Sequence, residues 1–141
     1  MNHLFSSFSG YKDELIWAAL WLHKATGEQF YLDKAKSMYE EFGIGTGWFS
    51  WDDKSVGVQV LMAEAFPSEP KYQWSIKGYC DNAVSGQTRS PQGQLFYSQW
   101  GSLRYASNTA FICLLVIFAK PHFGRGKLHC ISDYFNHILG Y

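Results

Sequence analysis

The sequence predicts an all-α fold made of about three helical hairpins, and three observations support this prediction. Six segments repeat apolar residues at the spacing of an α-helix. No segment of useful length alternates apolar and polar residues as a half-buried strand would. Hydrophobic residues make up 47% of the 141 residues, enough for one sizeable core. The chain is therefore expected to form one domain or part of one.

Each predicted helix is an apolar or amphipathic run, and most of these runs are followed by a residue that stops helices. The six ranges are about Lys12 to Ala25, Gln29 to Phe42, Ser55 to Phe66, Lys71 to Val84, Tyr105 to Lys120 and Lys127 to Leu139. Gly27, Gly43 and Gly140 are expected to end the first, second and sixth helices, because glycine is common just past a helix C-terminus. Pro67 and Pro121 follow the third and fifth helices.

The predicted helices alternate in character along the chain. The first, third and fifth are mostly apolar on every face, which predicts buried helices, whereas the second, fourth and sixth are amphipathic. Inner and outer helices of stacked α-hairpins alternate in this way, and three hairpins make half of an (α/α)6 toroid. Half a toroid would expose the inner faces of its first and last hairpins. We therefore expect residues 1–141 to be a partial domain.

Charge and hydropathy argue against two classes of partner. Twelve basic residues balance twelve acidic ones, so nothing favours nucleic acid, whose phosphates need clustered positive charge. The most apolar run, Ala110 to Ala119, is shorter than the roughly 18 residues of a membrane span. No basic region followed by an apolar stretch opens the sequence, so no signal peptide is visible. Aromatic residues reach 18%, and such rings stack on sugars as well as packing in cores.

The cysteines and histidines predict no metal site. Cys80, Cys113 and Cys130 are odd in number and lack metal-ligand spacing, so neither a zinc site nor a disulfide framework is evident. We interpret all three as small buried hydrophobic residues. The five histidines also lack metal spacing, and surface or partly buried roles are expected for them.

An acidic motif, Ser9-Gly10-x-x-Asp13-Glu14, opens the first predicted helix. Carboxylates in a first helical turn are favoured by the helix dipole, so an ordinary structural role is one interpretation of this pair. Asp52 lies beside Trp51 in a glycine-rich loop that is placed to approach the start of the same helix. Calcium prefers such a set of oxygen ligands, and the ion would relieve repulsion among the acids. The motif therefore predicts a calcium site.

An aromatic motif, Trp100-Gly101-Ser-Leu-Arg104-Tyr105, precedes or opens the fifth predicted helix. Gly101 leaves the ring of Trp100 accessible, and Trp100 and Arg104 would share a face if this turn were helical. An aromatic ring beside a guanidinium suits a neutral, hydroxyl-rich ligand. The structural alternative is a cation–π pair of Arg104 on Trp100. Asn108 and Thr109 are expected to support this helix.

In this order, the acidic motif, Trp51-Asp52 and Trp100-Gly-x-Leu-Arg-Tyr-Ala-x-Asn108 resemble the middle of a glycoside hydrolase family 9 catalytic domain. The resemblance extends from about Leu4 to Gly140 and implies a secreted, inverting endo-β-1,4-glucanase that acts on cellulose or its soluble derivatives. It implies a structural calcium ion with five ligand residues. These are Ser9, Gly10, Asp13, Glu14 and Asp52.

The resemblance also implies which residues line the substrate cleft. Phe8 takes the place before Ser-Gly that is commonly Trp or Tyr, and Trp100, Arg104 and Tyr105 line the cleft in the family. A role for Trp48 stays open, and Trp51 is expected to pack between hairpins.

The residues that carry catalysis in this family are not expected in this chain. Inverting glycosidases need two carboxyl groups about 6.5–9.5 Å apart, and the resemblance places these upstream and downstream of the matched motifs. Adjacent Asp52 and Asp53 do not suit that role, because they would rarely face one ligand from opposite sides. The preferred hypothesis is an endoglucanase fragment that is inactive in isolation. The alternatives are a non-catalytic carbohydrate-binding product or pseudoenzyme, and a helical interaction domain.

Overall fold

The structure is a computed structural model that describes residues 7–118, with side chains described through residue 115. Its five α-helices are α1 (Lys12–Thr26), α2 (Gln29–Phe42), α3 (Ser55–Ala65), α4 (Pro70–Ser85) and α5 (Ser102–Phe118). The predicted ranges agree closely, and the largest difference is the start of α5 at Ser102 rather than Tyr105. Within these residues the only β pairing is an isolated bridge between Arg89 and Leu95. The predicted sixth helix, Lys127 to Leu139, lies outside the described residues.

Two glycines end their helices as predicted. Gly27 and Gly43 have φ angles of 74° and 62°, in the left-handed region that favours glycine. The N–H of Gly27 donates to the carbonyl of His23, and that of Gly43 to the carbonyl of Tyr39. These bonds satisfy carbonyl groups that a helix end otherwise leaves without a donor.

The helices pack as hairpins around one core. α1 packs against α2 and α3 against α4, while α3 also contacts α1 and α5, and α4 contacts α5. The outer helix α2 buries only Leu32 and Ala35, as its amphipathic pattern predicts. The inner helix α3 buries seven of its eleven residues. The prediction of an inner row flanked by outer helices is therefore confirmed for α2 and α3.

The prediction that α1 and α5 are buried on every face is wrong for the described residues. Three apolar side chains of α1 are nearly half exposed, those of Leu15, Trp21 and Leu22. On α5, Phe111 is half exposed and Leu103 is exposed further. The physical reason is position, because among the described helices α1 and α5 stand at the two ends of the inner row, whereas α3 is covered from both sides. Exposed inner faces at the ends are what part of a toroid requires.

The cysteines correct a second expectation. Cys80 on α4 and Cys113 on α5 form a disulfide, with 5.8 Å between their Cα atoms. Both residues are buried, as expected, but the interpretation of them as unpaired hydrophobic residues is wrong. They are 33 positions apart in sequence, and only the packing of α4 against α5 brings them together. Cys130 lies outside the described residues.

Two long loops lie at the end of the bundle where the inner helices begin. The first connects α2 to α3 and the second connects α4 to α5. The second loop is fixed by buried Leu95 and by Arg89, whose guanidinium donates to the carbonyls of Ala83 and Val84 at the end of α4. Both loops therefore form a defined surface above the N-termini of α3 and α5.

Candidate functional site

The acidic motif joins the start of α1 to the start of α3. The Asp13 carboxylate is buried and accepts a 2.6 Å hydrogen bond from the N–H of Lys54. At the start of α3, the Asp53 side chain accepts a 2.8 Å hydrogen bond from the N–H of Ser55. These bonds satisfy N–H groups that a helix N-terminus leaves without intrahelical partners. Asp13, the first carboxylate of the motif, therefore has a structural role, because it connects the start of α1 to the start of α3.

Asp52 reaches the segment before α1, but its side chain faces a main-chain group there. The N–H of Phe8 donates to both carboxylate oxygens of Asp52, at 3.1 and 3.0 Å. The hydroxyl of Ser9 donates to the main-chain carbonyl of Asp52 at 2.6 Å and lies 3.5 Å from Asp13 Oδ1. The structure thus brings together oxygens of Ser9, Asp13 and Asp52. Among the described residues, no three acidic, histidine or cysteine side chains converge as a metal-binding group.

Glu14 is the member of the motif with an unsatisfied group. Its Oε2 atom is buried and has no hydrogen-bond partner. Burial is the largest cause and the neighbouring Asp13 side chain the next, and together they raise the pKa of Glu14 from 4.5 to about 7. A buried acceptor without a donor needs a compensating group, and a proton or a cation can supply it. Carboxylate and hydroxyl oxygens are the ligand type that calcium takes, and the calcium site expected from the motif stays a prediction.

A cleft of about 570 Å³ opens beside this corner. Phe8, Arg104 and Tyr105, three of the four predicted substrate residues, line it together with other residues of the two loops. The remaining lining residues are Ser9, Trp48, Ser50, Trp51, Asp52, Asp53, Tyr97 and Ser98. The ring of Phe8 is 85% exposed, so it presents a free aromatic face. Because the cleft is open to solvent and has aromatic side chains in its walls, it suits an extended ligand.

Arg104 stacks on its neighbour in sequence and not on Trp100. Its guanidinium carbon lies 4.7 Å from the ring centre of Tyr105, and its Nη2 donates to the Tyr105 hydroxyl at 3.0 Å. A Cβ atom at Gly101 would lie 3.2 Å from Nε of Arg104, so Gly101 leaves room for this side chain. The guanidinium and the phenol therefore form one polar and aromatic unit at the cleft wall.

Trp100 and Arg104 would share a face only if their turn were helical, and that condition is not met. α5 begins at Ser102, so Trp100 lies in the preceding loop, where its ring is 82% exposed and outside the lining of the cleft. The same geometry excludes the predicted structural cation–π pair on Trp100, since Arg104 stacks on Tyr105. The assignment of Trp100 as a substrate residue stays a prediction.

Three further aromatic residues line the cleft: Trp48, whose role the sequence left open, and Trp51 and Tyr97, to which it gave no cleft role. Trp51 is 58% exposed, so the expectation that it packs between hairpins is wrong. The ring of Trp48 meets that of Tyr97 nearly at right angles and lies 6.3 Å from that of Tyr105. Trp48 follows a glycine-rich stretch, which was a usable signal for an accessible ring. Tyr97 offered none, because the fold of a long loop decides its position.

A buried hydroxyl network supports this aromatic wall. Thr109 of α5 is 1% exposed, and its Oγ1 lies 2.8 Å from the hydroxyl of Tyr79 and 3.1 Å from that of Tyr97. Burial raises the pKa of both tyrosines. Next to Thr109, the Asn108 side chain donates to the Phe49 carbonyl at 2.7 Å. Asn108 and Thr109 therefore support both loops, beyond the helix support expected of them.

The fold and the site define the class of this protein. Stacked α-hairpins that carry an open, aromatic-lined cleft where their inner helices begin are suited to binding sugar chains. The family model of glycosyl hydrolase family 9 matches residues 1–140, and the chain belongs to this family. The resemblance stated from the three motifs is therefore confirmed.

Relatives in the family are endoglucanases from plants and bacteria. Endoglucanase 16 of Oryza sativa subsp. japonica is 41% identical over 131 residues, which cover 77% of this chain and 24% of that protein. Endoglucanase B of Cellulomonas fimi is 39% identical over 124 residues, which cover 79% of this chain and 12% of that protein. The chain thus spans about a quarter or less of the length of these relatives.

Two solved structures share the fold. The endoglucanase of the termite Nasutitermes takasagoensis superimposes with a TM-score of 0.81 at 36% identity, covering 94% of this chain and 29% of that one. The cellulase Cel9M of C. cellulolyticum gives 0.80 at 23% identity, covering 97% and 31%, and it supports the fold alone. The predicted architecture, all-α and part of an (α/α)6 toroid, is confirmed. In the described part of the chain, no helix has the length and apolarity to cross a membrane.

Proposed function

We propose that this chain forms part of the substrate cleft of a secreted endo-β-1,4-glucanase, which hydrolyses the β-1,4-glucosidic bonds of cellulose or its soluble derivatives by inversion. The observation that carries the proposal is the single cleft in which Phe8, Arg104 and Tyr105 meet. The endoglucanase names of the relatives support the same activity.

The residues of the cleft would bind glucan by stacking and by hydrogen bonds. The exposed side chain of Phe8 offers an apolar face to one glucose unit, and Trp48 offers a second aromatic ring in the lining. Arg104 supplies several donors for sugar hydroxyls, and its stacking on Tyr105 fixes their direction. Trp100, outside the lining, would contact a glucan that extends beyond the cleft.

The proposal assigns no catalytic residue within the described part of the chain. Inversion needs an acid and a base on opposite sides of the scissile bond. Asp52 and Asp53, the carboxylates that line the cleft, are adjacent and are engaged by the N–H groups of Phe8 and Ser55. They therefore shape the loop, and the chemistry would require carboxylates from other parts of the family domain.

The calcium site is part of the proposal. Ser9, Gly10, Asp13, Glu14 and Asp52 would hold the ion, with Asp52 contributing its main-chain carbonyl, which already faces Ser9. The buried and unpartnered Oε2 of Glu14 supports this assignment. When bound, calcium would neutralise the paired acids and fix the segment that carries Phe8 against the loop that carries Trp51.

Secretion is supported by the disulfide. The Cys80–Cys113 bond joins two helices within the described core, and such bonds persist in oxidising compartments. Because reducing cytosol disfavours such bonds, an extracellular location is the one we propose.

The test is calorimetric titration of the full 141-residue chain with cellotetraose. Phe8→Ala is expected to weaken binding about tenfold, because one stacking face is lost. Phe30→Ala is the matched control, since Phe30 is also an exposed phenylalanine, on the outer helix α2 and away from the cleft. The proposal is overturned if the native chain is folded, as judged by thermal melting, and binds no cellotetraose.

A further inference from the structure

A second cavity of about 590 Å³, here called the lateral pocket, lies beside the cleft. It is bounded by residues 44–48 of the first loop, by one side of α4 and by parts of the second loop. Trp48 and Tyr97 line both cavities, so the two share a wall. Volumes of about 300–1,000 Å³ are typical of sites for small ligands. The lateral pocket is therefore large enough for a ligand and adjoins the proposed glucan path.

The lining of the lateral pocket mixes polar and apolar side chains, and none of the described residues that line it is acidic or basic. Its neutral hydrogen-bonding side chains include those of Thr46, Ser75, Asn82 and Gln87. At its edge, the ring of Trp74 is 70% exposed and makes no ring contact within the described residues. Neutral donors and acceptors beside a free aromatic face suit a sugar ring. Phosphates and carboxylates would find no cation in this lining.

The backbone of the lateral pocket is open to a ligand. Gly45 and Gly78 contribute to its lining without side chains. A Cβ atom at Gly45 or Gly78 would meet no atom within 4 Å. Gly78 is especially informative, because glycine destabilises a helix interior and no core atom near this position requires a glycine there. Its absent side chain keeps the pocket open.

We propose that the lateral pocket is a second neutral-sugar site, which holds a hexose or pentose unit beside the glucan in the cleft. The inference rests on the proposed function, because the cleft-bound glucan makes such a unit available at the shared wall. Trp74 stacks on the sugar ring, and the amides of Asn82 and Gln87 bind its hydroxyls. The unit comes either from a substituent on the glucan in the cleft or from a neighbouring glucan chain.

The experiment blocks the pocket from α4. Gly78→Gln places a longer side chain into the open space, and Gly78→Ala serves as the smaller member of the series. Both replacements favour the helix, so a loss of binding is separated from unfolding by thermal melting. Ser37→Gln on the exposed surface of α2 is the control for adding a glutamine away from both cavities. Trp74→Ala removes the stacking face.

The variants are titrated with cellotetraose and with a xylose-substituted cello-oligosaccharide. Gly78→Gln and Trp74→Ala are each expected to weaken sugar binding at the pocket about tenfold. Two cellotetraose molecules per native chain would identify a neighbouring glucan as the source. One substituted oligosaccharide per chain, bound more tightly than cellotetraose, would identify a substituent.

The outcomes separate this inference from the proposed function. If Phe8→Ala weakens binding while Gly78→Gln and Trp74→Ala bind both sugars as the native chain does, the cleft stands and the lateral site is overturned. If only the two α4 variants lose binding, the glucan cleft fails and the lateral pocket is a sugar site that does not depend on glucan in the cleft. A folded chain that binds neither sugar overturns both.

Discussion

At the scale of single residues, Glu14 shows how one buried atom links stability to a proposed ligand. Its pKa is raised to about 7 chiefly by burial, so the folded state holds a proton that the unfolded state releases near pH 4.5. Protonation of Glu14 therefore stabilises the fold at low pH. Between about pH 4.5 and 7, the free energy of unfolding is expected to fall as pH rises.

Glu14→Gln is expected to remove this pH dependence. Glutamine keeps the shape of the side chain but cannot titrate, so the melting temperature without calcium should change less between pH 4.5 and 7 than in the native chain. Glu41→Gln, an exposed position on α2, is the control for loss of one negative charge. Native-like pH dependence in Glu14→Gln would show that another group titrates.

The same residue makes the calcium proposal testable. Because calcium needs the ionised carboxylate, added calcium is expected to raise the melting temperature more at pH 8 than at pH 6. Glu14→Gln should lose this calcium effect. An unchanged melting temperature of the folded native chain with calcium or with a chelator, at both pH values, would contradict the five-residue site.

Thr109 is a second residue on which the site depends, because its hydroxyl is hydrogen-bonded to both Tyr79 and Tyr97. Thr109→Val keeps the volume but removes the hydroxyl shared by Tyr79 and Tyr97, and the unfolding free energy is expected to fall by about 1–3 kcal/mol. Because Tyr97 contacts Trp48, cellotetraose affinity should fall as well. Thr88→Val in the exposed part of the second loop is the control. Native stability in Thr109→Val, measured by denaturant unfolding, would contradict the role of the network.

At the scale of elements, the disulfide fixes α5 on α4. It joins residues 33 positions apart in sequence, and such a crosslink is worth about 3–4 kcal/mol through the unfolded state. The double replacement Cys80→Ala and Cys113→Ala is therefore expected to lower the melting temperature clearly under oxidising conditions. Cys130→Ala is the matched single-cysteine control. Equal melting of the double variant and the oxidised native chain would argue against the bond.

Contacts between element ends explain how the site is positioned. The bond from Lys54 to Asp13 ties α3 to α1, and the bond from Asn108 to Phe49 ties α5 to the first loop. Each contact joins segments about 40 to 60 positions apart in sequence. The cleft therefore depends on the order of the inner helices as much as on the residues that line it.

At the scale of the whole molecule, the described helices form part of an (α/α)6 toroid, and the proposed glucan cleft lies where its inner helices begin. The isolated chain is expected to bind cellotetraose without hydrolysing cellulose, because no described carboxylate is positioned as acid or base. Release of reducing sugar from carboxymethyl cellulose, measured beside an intact family 9 endoglucanase as the positive control, checks this expectation. Turnover that follows the purified chain through chromatography would contradict it.

The sequence alone determined the helical content, the order of inner and outer helices and the family. Apolar periodicity and the helix-ending glycines Gly27 and Gly43 are local signals, so the five described helices could be predicted closely. The motifs also pointed to Phe8, Arg104 and Tyr105, which meet in one cleft. These results needed only short-range patterns.

Only the tertiary structure decided the disulfide, the stacking partner of Arg104 and the aromatic wall of Trp48 and Tyr97. Each of these features depends on where a helix begins or on contacts between distant segments. Spacing along the chain encodes neither the start of a helix nor such contacts. The exposure of α1 and α5 was decided in the same way, because a residue's hydrophobicity states what it prefers, whereas its burial depends on which neighbours are present.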